Sequence, residues 1–144
     1  MIDIAAGRTA VVAEASAFLG TPFHHQGRLQ GVGVDCAYLL AEVYERVCGM
    51  QRMDFGYYPI DWFRHARDER YRDQVALRCL EVATPGPGDI ALFRMGHAYS
   101  HGAIVVEWPR VIHAHWRNGV EIADATQNPL GGRACVFYSP WGDR

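Results

Sequence analysis

The run Pro85-Gly86-Pro87-Gly88 divides the chain into two parts with different hydrophobic patterns. Proline lacks a backbone donor and glycine weakens regular elements, so this run predicts a break between them. Before the break, apolar residues recur at the spacing of helices, and after it short β-type runs follow one another. Helices followed by strands predict an α+β fold with an antiparallel sheet.

The part before the break predicts helices separated by irregular segments. Residues 8–19 form an amphipathic pattern that ends at Gly20-Thr21-Pro22, and residues 20–34 are predicted to be a loop. A second helix is predicted from Ala37 to Cys48, with Gly49 as its C-terminal cap. An irregular aromatic stretch at 50–59 and one or two helices at 60–80 follow. The apolar face of the first helix is predicted to carry Val11, Val12, Ala15, Phe18 and Leu19.

The part after the break predicts a meander of short strands, with a hairpin turn at Pro109-Arg110. The predicted strands are Asp89 to Phe93, Gly102 to Trp108, Val111 to Trp116, Gly119 to Ala123 and Ala134 to Tyr138.

Composition and charge exclude several classes of protein. The 144 residues fit one domain, and neither a repeat nor a linker divides 1–144. The formal net charge of −2 argues against direct nucleic-acid binding. No apolar run approaches the length of a membrane span. The first eight residues lack the basic and apolar pattern of a signal peptide, so we expect synthesis in the cytoplasm without one.

Cys36 stands apart among the four cysteines, none of which has the short spacing of a zinc or redox pair. Cys48, Cys79 and Cys135 have apolar neighbours and are predicted to be small core residues. Cys36 follows a glycine-rich loop and Asp35, at the start of the second helix. Unpaired N–H groups and the helix dipole favour a thiolate there, and the thiolate is the nucleophile.

Two of the seven histidines, His101 and one on the next strand, are predicted to complete a catalytic group with Cys36. His101 is predicted to open a strand after a loop at 95–100. His113 and His115 share one face of the following strand, and the residues alone do not choose between them. A metal site built from histidines 97, 101, 113 and 115 is an alternative, but no acidic or cysteine ligand is suitably spaced. No cofactor or metal is therefore predicted.

Five motifs, in this order, give the chain a resemblance to the NlpC-type cell-wall cysteine peptidases from about Phe18 to Val120. They are Gly20-Thr21-Pro22-Phe23, Gly33-Val34-Asp35-Cys36, Pro87-Gly88-Asp89-Ile90, His101-Gly102-Ala103-Ile104-Val105 and Val111-Ile112-His113-Ala114. The resemblance implies a papain-like core with N-terminal helices packed on an antiparallel sheet. It also implies cleavage of γ-D-glutamyl–diamino acid bonds in peptidoglycan stem peptides. In this resemblance Cys36 is the nucleophile, His101 the base and His113 the orienting residue.

The predicted substrate-binding residues are Phe23, Asp35 and Ala37, and two of them depart from the family pattern. The family usually has tyrosine at the position of Phe23, and a small polar residue where Ala37 stands. In many members that residue and the preceding aspartate, which matches Asp35, bind the free amine of the substrate. The departures motivate an alternative, a weak or inactive structural component with the same fold. Acyl transfer or a different amidase reaction is a third hypothesis.

The stretch from Gly20 to Gly27, followed by the Asp-Cys motif, is most similar to a compact subgroup associated with phage tails and gene-transfer particles. This resemblance implies tail or baseplate proteins as partners, in addition to the stem peptide. It also implies that the protein is carried in a virion or phage-like particle.

Overall fold

A computed structural model describes residues 3–141 of the chain. Four helices and eight strands follow one another in these residues. They are α1 (Ile4–Ala17), β1 (Arg28–Leu29), β2 (Gly33–Val34), α2 (Cys36–Cys48), α3 (Trp62–His65), α4 (Arg70–Ala76), β3 (Leu80–Val82), β4 (Ile90–Met95), β5 (Ala98–Glu107), β6 (Arg110–His115), β7 (Gly119–Asp124) and β8 (Cys135–Ser139).

The first helix, α1, begins four residues earlier than predicted. Asp3 caps it, since its carboxylate accepts a hydrogen bond of 3.2 Å from the backbone N–H of Ala5. The buried residues Gly7, Val11 and Ala15 are spaced by four and form one stripe. Leu19 was predicted to lie on this face, but it stands beyond the helix end and is 39% exposed.

The second helix, α2, agrees with the prediction to within one residue. Asp35 caps its N-terminus, and Gly49 ends it in a left-handed conformation with φ of 62°. Leu39, Leu40 and Tyr44 are fully buried, because α2 packs against β5 and β6. The hydroxyl of Tyr44 donates a hydrogen bond of 2.6 Å to the carbonyl of Gly88, which connects the helix to the segment just before β4.

Several elements depart from the predictions. The predicted loop at 20–34 contains the short antiparallel pair β1–β2, and the predicted helical segment at 60–80 holds α3 and α4 but ends at β3. β5 begins at Ala98, so the prediction that His101 opens this strand was wrong. The turn between β4 and β5 is only Gly96-His97, and φ of 76° at Gly96 lets so short a turn close the hairpin.

The main sheet has the order β3-β8-β4-β5-β6-β7. The predicted meander is therefore right for β4 to β7, but β8 returns across the sheet to pair with both β4 and β3. The helices cover one face of the sheet, where the main core lies. A smaller core of Ala91, Phe93, Val105, Val111 and Leu130 covers part of the other face. The predicted α+β class, with helices packed on an antiparallel sheet, is confirmed.

Within residues 3–141, no helix combines the length and the apolar character that a bilayer span requires.

Candidate active site

Cys36 is the first residue of α2 and lies against strand β5. Its sulfur is 3.8 Å from the carbonyl oxygen of Ser100, and its side chain is 9% exposed. The hydroxyl of Tyr71 donates a hydrogen bond of 2.9 Å to the carbonyl of Cys36. Gly102 permits this approach, since a Cβ at that position would collide with the Tyr71 hydroxyl. The start of the helix is thus held beside the strand that carries His101.

His101 and His113 form a direct hydrogen bond. Nε2 of His101 lies 2.9 Å from Nδ1 of His113, and the two rings are nearly perpendicular, at 88°. His101 is 7% exposed and His113 is fully buried. The two predicted histidines therefore meet across the neighbouring strands β5 and β6.

His115 does not contact His101 through a hydrogen bond. Its Nδ1 accepts hydrogen bonds from the backbone N–H groups of Arg117 and Asn118, at 3.1 and 3.2 Å. This ring is therefore turned toward its own hairpin. The alternative that the sequence left open is resolved geometrically in favour of His113, while the catalytic roles themselves stay predictions.

Glu121, on β7, extends the hydrogen-bonded row of His101 and His113 by one side chain. It was not predicted from the sequence. Its Oε2 lies 2.9 Å from Nε2 of His113, and its Oε1 accepts a hydrogen bond of 3.0 Å from the amide of Asn118. The β6–β7 register pairs His113 with Glu121 directly. Only that register identifies the contact, because glutamate on a strand is otherwise an ordinary solvent-facing residue.

Asp35 is 3% exposed, and its carboxylate accepts hydrogen bonds from three groups among the described residues. The backbone N–H groups of Tyr38 and Gln26 donate to it, each at 2.9 Å, and so does the hydroxyl of Tyr58. Burial raises the pKa of Asp35, and the donors oppose this only in part. Tyr58 was also not predicted from the sequence. Its side chain supplies a phenol hydroxyl at this site, whereas Phe23 lacks one.

Cys36 lies between two cavities, and Phe23 lines both. The larger, of about 370 Å³, is also lined by His101, His113, Arg64 and Arg133. The smaller has about 20 Å³, and its lining includes Asp35, Ala37 and Tyr58 among aromatic side chains. Of the predicted substrate-binding residues, Asp35 and Ala37 therefore lie on the closed side of Cys36 and Phe23 borders both sides. The predicted catalytic histidines lie on the open side.

The ionisation of the candidate pair differs from the sequence prediction. Burial raises the pKa of Cys36 well above its usual value, and the Asp35 carboxylate adds to this effect. The N–H groups of Gly102, Cys36 and Ala37 favour the thiolate but do not compensate. The N–H groups at the start of the helix therefore act in the expected direction, but burial acts against the thiolate more strongly in the free protein.

The pKa of His101 is shifted so that the charged form of this side chain is also disfavoured. Burial lowers its pKa well below the usual value, and the neighbouring charges of His113, His115 and Arg133 lower it further. Burial also lowers the pKa of His113, although Glu121 opposes this shift. Burial therefore opposes both the thiolate of Cys36 and the imidazolium of His101 in the free protein.

Within residues 3–141, no three side chains of His, Cys, Asp or Glu are arranged to hold a metal ion. The alternative of a histidine metal site accordingly gains no support. His97, one of its proposed members, is exposed in the β4–β5 turn.

Comparisons with known proteins agree with this fold. A model of the NlpC/P60 family matches residues 20–137. The crystal structure of the NlpC/P60 domain of the peptidoglycan hydrolase SagA is 21% identical, with a TM-score of 0.61, and the match covers 90% of this chain and 96% of that one. An NlpC/P60 family protein from Bacillus cereus ATCC 10987 is 20% identical, with a TM-score of 0.59, over 90% of this chain and 39% of that one. No curated protein matches significantly.

The family match confirms the predicted family, and the two structures confirm the fold class. Together with the family, the cysteine and histidines described above support the prediction of a cysteine peptidase.

Proposed function

The chain belongs to the NlpC/P60 family, and we propose that it is a cysteine peptidase that cleaves the γ-D-glutamyl–diamino acid bond of peptidoglycan stem peptides. The observation that carries the proposal is the hydrogen-bonded pair His101–His113 in the cavity that Cys36 also lines. A nucleophile, a base and an orienting group are the parts that covalent amide hydrolysis requires.

The reaction begins when the sulfur of Cys36 attacks the amide carbonyl carbon and its proton passes to His101. The S–C bond forms, and the carbonyl electrons move to an oxyanion that backbone N–H groups at the start of α2 stabilise. The C–N bond then breaks as His101 returns the proton to the leaving amine. Water attacks the resulting thioester, and His101 accepts its proton. The C–S bond then breaks to release the acid, and His101 returns the proton to the sulfur of Cys36, which restores the thiol.

We infer that Cys36 and His101 form a neutral resting pair, so that His101 acts as a general base. In an ion-pair mechanism the thiolate would exist before the substrate binds, but burial opposes charge on both Cys36 and His101. We infer that proton transfer accompanies attack on the carbonyl, so that neither charge is held in the buried site of the free protein.

The leaving amine must lie on the His101 side of Cys36, because His101 gives it a proton. Arg64 and Arg133 line the cavity on that side, and no Asp or Glu is among its described lining residues. Among the described residues, the guanidinium of Arg133 donates to backbone carbonyls, at 2.6 Å to Pro129 and 3.5 Å to Arg94. A diamino acid with a free carboxylate matches this positive charge, which supports the proposed bond.

Asp35 is the only carboxylate among the described lining residues of the opposite cavity. This position supports its proposed role in binding the free amine of the acyl portion. Phe23 and Ala37 would contact the same portion through apolar surface. With about 20 Å³ of space, this side must open before a stem peptide fills it.

We also propose that the protein is carried with tail or baseplate proteins on a phage-like particle, where it would open the cell wall during DNA delivery. The residue pattern from Gly20 to Cys36, which resembles that subgroup, supports this proposal. The test is immunodetection of the protein in purified particles. Particles that lack it would overturn the proposed delivery.

The proposed reaction is tested by mass spectrometry of muropeptides after digestion of purified peptidoglycan. We expect fragments that carry a new amino-terminal diamino acid, and no such fragments with Cys36→Ala. Cys48→Ala is the matched control, because Cys48 ends the same helix about 18 Å away at 1.5 Å per residue. Absence of cleavage by the unmodified protein would favour the alternative of a structural component.

A further inference from the structure

Glu121 makes two contacts that fix the direction of the hydrogen bonds in the site. One carboxylate oxygen faces Nε2 of His113 at 2.9 Å, and the other accepts from the side-chain amide of Asn118 at 3.0 Å. The direct pairing of His113 with Glu121 in the β6–β7 ladder holds the two side chains together. The Glu121 side chain is 28% exposed, and that of His113 is 1% exposed.

A carboxylate only accepts hydrogen bonds, so Nε2 of His113 must carry a proton. In the neutral ring, Nδ1 of His113 is then an acceptor. Its partner at 2.9 Å, Nε2 of His101, must therefore be the donor. The remaining nitrogen of His101, Nδ1, is left with a free lone pair.

We propose that Glu121 is a positioning residue, which sets the tautomers of both histidines so that Nδ1 of His101 can accept the proton of Cys36. The inference rests on the proposed function for its catalytic consequence, but its structural content, the two tautomers, stands independently of any substrate. Once His101 is protonated, the same carboxylate stabilises the positive charge through His113.

The substitution Glu121→Gln tests the inference because it reverses the chain of hydrogen bonds. The amide of Asn118 donates to the Oε1 position, so the glutamine oxygen is favoured there and the glutamine NH₂ faces His113. Nε2 of His113 then accepts, its Nδ1 donates to Nε2 of His101, and the proton of His101 moves to Nδ1. Nδ1 of His101 then already carries a proton and cannot accept one from Cys36, although no heavy atom has moved.

Loss of a general base reduces rates by about 10²–10⁴-fold, and we expect kcat of Glu121→Gln to fall by at least about 10²-fold with little change in KM. Glu121→Ala should lose less activity than Glu121→Gln, because water can accept from His113 in place of the carboxylate. A merely structural role predicts the opposite order. Adding Asn118→Ala to Glu121→Gln frees the glutamine to rotate, and we expect it to restore part of the activity.

Nitrogen NMR of the imidazole rings in the free protein reads the tautomers without any substrate. We expect protons on Nε2 of both His101 and His113 in the unmodified protein, and on Nδ1 of both in Glu121→Gln. Glu107→Gln, an exposed carboxylate on β5, is the matched control and should change neither tautomer nor kcat.

A proton on Nδ1 of His113 in the unmodified protein would overturn the inference, even if the glutamine variant failed to fold. Unchanged tautomers in Glu121→Gln, or a kcat within about threefold of the unmodified protein, would also overturn it. Tautomers that reverse as expected in a protein that does not cleave peptidoglycan would support the inference and reject the proposed function, so the two failures are distinguishable.

Discussion

Replacing Tyr58 with phenylalanine removes one hydroxyl from a buried hydrogen bond and leaves the aromatic packing in place. Tyr58 is 7% exposed, and its hydroxyl donates to Asp35, which is 3% exposed. A hydrogen bond to a charged group contributes about 1.5–3 kcal/mol. The ring keeps its contacts with His25 and Trp62, so we expect Tyr58→Phe to lower the free energy of unfolding by about that amount when Asp35 is ionised.

The loss should depend on pH with a definite sign. The pKa of Asp35 is raised by burial and lowered by the Tyr58 hydroxyl, so the substitution raises it further. A carboxyl with a raised pKa destabilises the folded state as pH rises through that pKa, and the cost is greater in the variant. Below the usual aspartate pKa of about 3.9 the carboxyl is mostly neutral in both folded proteins, because its pKa is raised in both. The difference should then shrink to that of a neutral hydrogen bond, about 0.5–1.5 kcal/mol.

Urea unfolding at about pH 7 and about pH 3.5 measures both quantities, provided that the m-value is unchanged. Tyr57→Phe is the matched control, because Tyr57 is 78% exposed and should change the free energy of unfolding by less than about 0.5 kcal/mol. The reasoning is refuted if Tyr58→Phe behaves like Tyr57→Phe at neutral pH, or if its deficit grows on acidification.

Two further predictions concern charge. Arg8→Ala should cost more than about 1 kcal/mol in urea unfolding, because it removes the guanidinium that lies 3.1 Å from the fully buried carboxylate of Asp89. Asp89 keeps other partners, such as the backbone N–H of Gly86 at 2.8 Å. Arg46→Ala, which removes surface ion pairs with Glu14 and Glu42, should cost no more than about 1 kcal/mol, and equal costs would contradict this account. Alkylation of Cys36 in the free protein, followed by peptide mass spectrometry, should rise with pH through an inflection above about 8.5, the value for free cysteine. An inflection below that value would indicate a preformed thiolate and exclude the neutral resting pair.

The helix α2 was predictable because all its signals are local. A capping aspartate, apolar residues at helical spacing and a glycine in left-handed conformation stand within the segment from Asp35 to Gly49. The strands of β4 to β7 were predictable for the same reason, since consecutive hairpins join neighbours in sequence. Elements that depend on distant partners were missed. β3 has three residues and forms only by pairing with β8, where Leu80 lies opposite Ser139.

The site residues differ in the same way: some were predictable from local motifs, and others depend on contacts that form only in the folded chain. The residues Cys36, His101 and His113 follow from the ordered motifs of the family resemblance, but strand register predicted from the sequence does not choose between His113 and His115. Continuing the pairing of Ile104 with Ile112 would put His101 opposite His115, yet the β5–β6 pairing ends at that pair, and His113 makes the contact. Tyr58 lies 23 residues from Asp35, in a segment without regular structure, so sequence spacing carried no sign of their contact.

The ionisation of Cys36 was the property of the site that was hardest to predict from the sequence. The sequence correctly put Cys36 at a helix N-terminus, where the dipole favours a thiolate by a modest amount. The opposing effect is the burial of Cys36 against β5, which exists only in the folded chain. The local electrostatic argument gave the effect of the helix start correctly but omitted desolvation, which is a tertiary property and acts in the opposite direction.

The central claim is that Cys36 forms a covalent thioester with the acyl portion of a peptidoglycan stem peptide. Acid quenching of a digestion, followed by mass spectrometry of the intact protein and its peptides, tests this claim most directly. The account predicts an adduct with the mass of the acyl fragment on the peptide that contains Cys36, and no adduct with Cys36→Ala. Undiminished release of muropeptides by Cys36→Ala would contradict it.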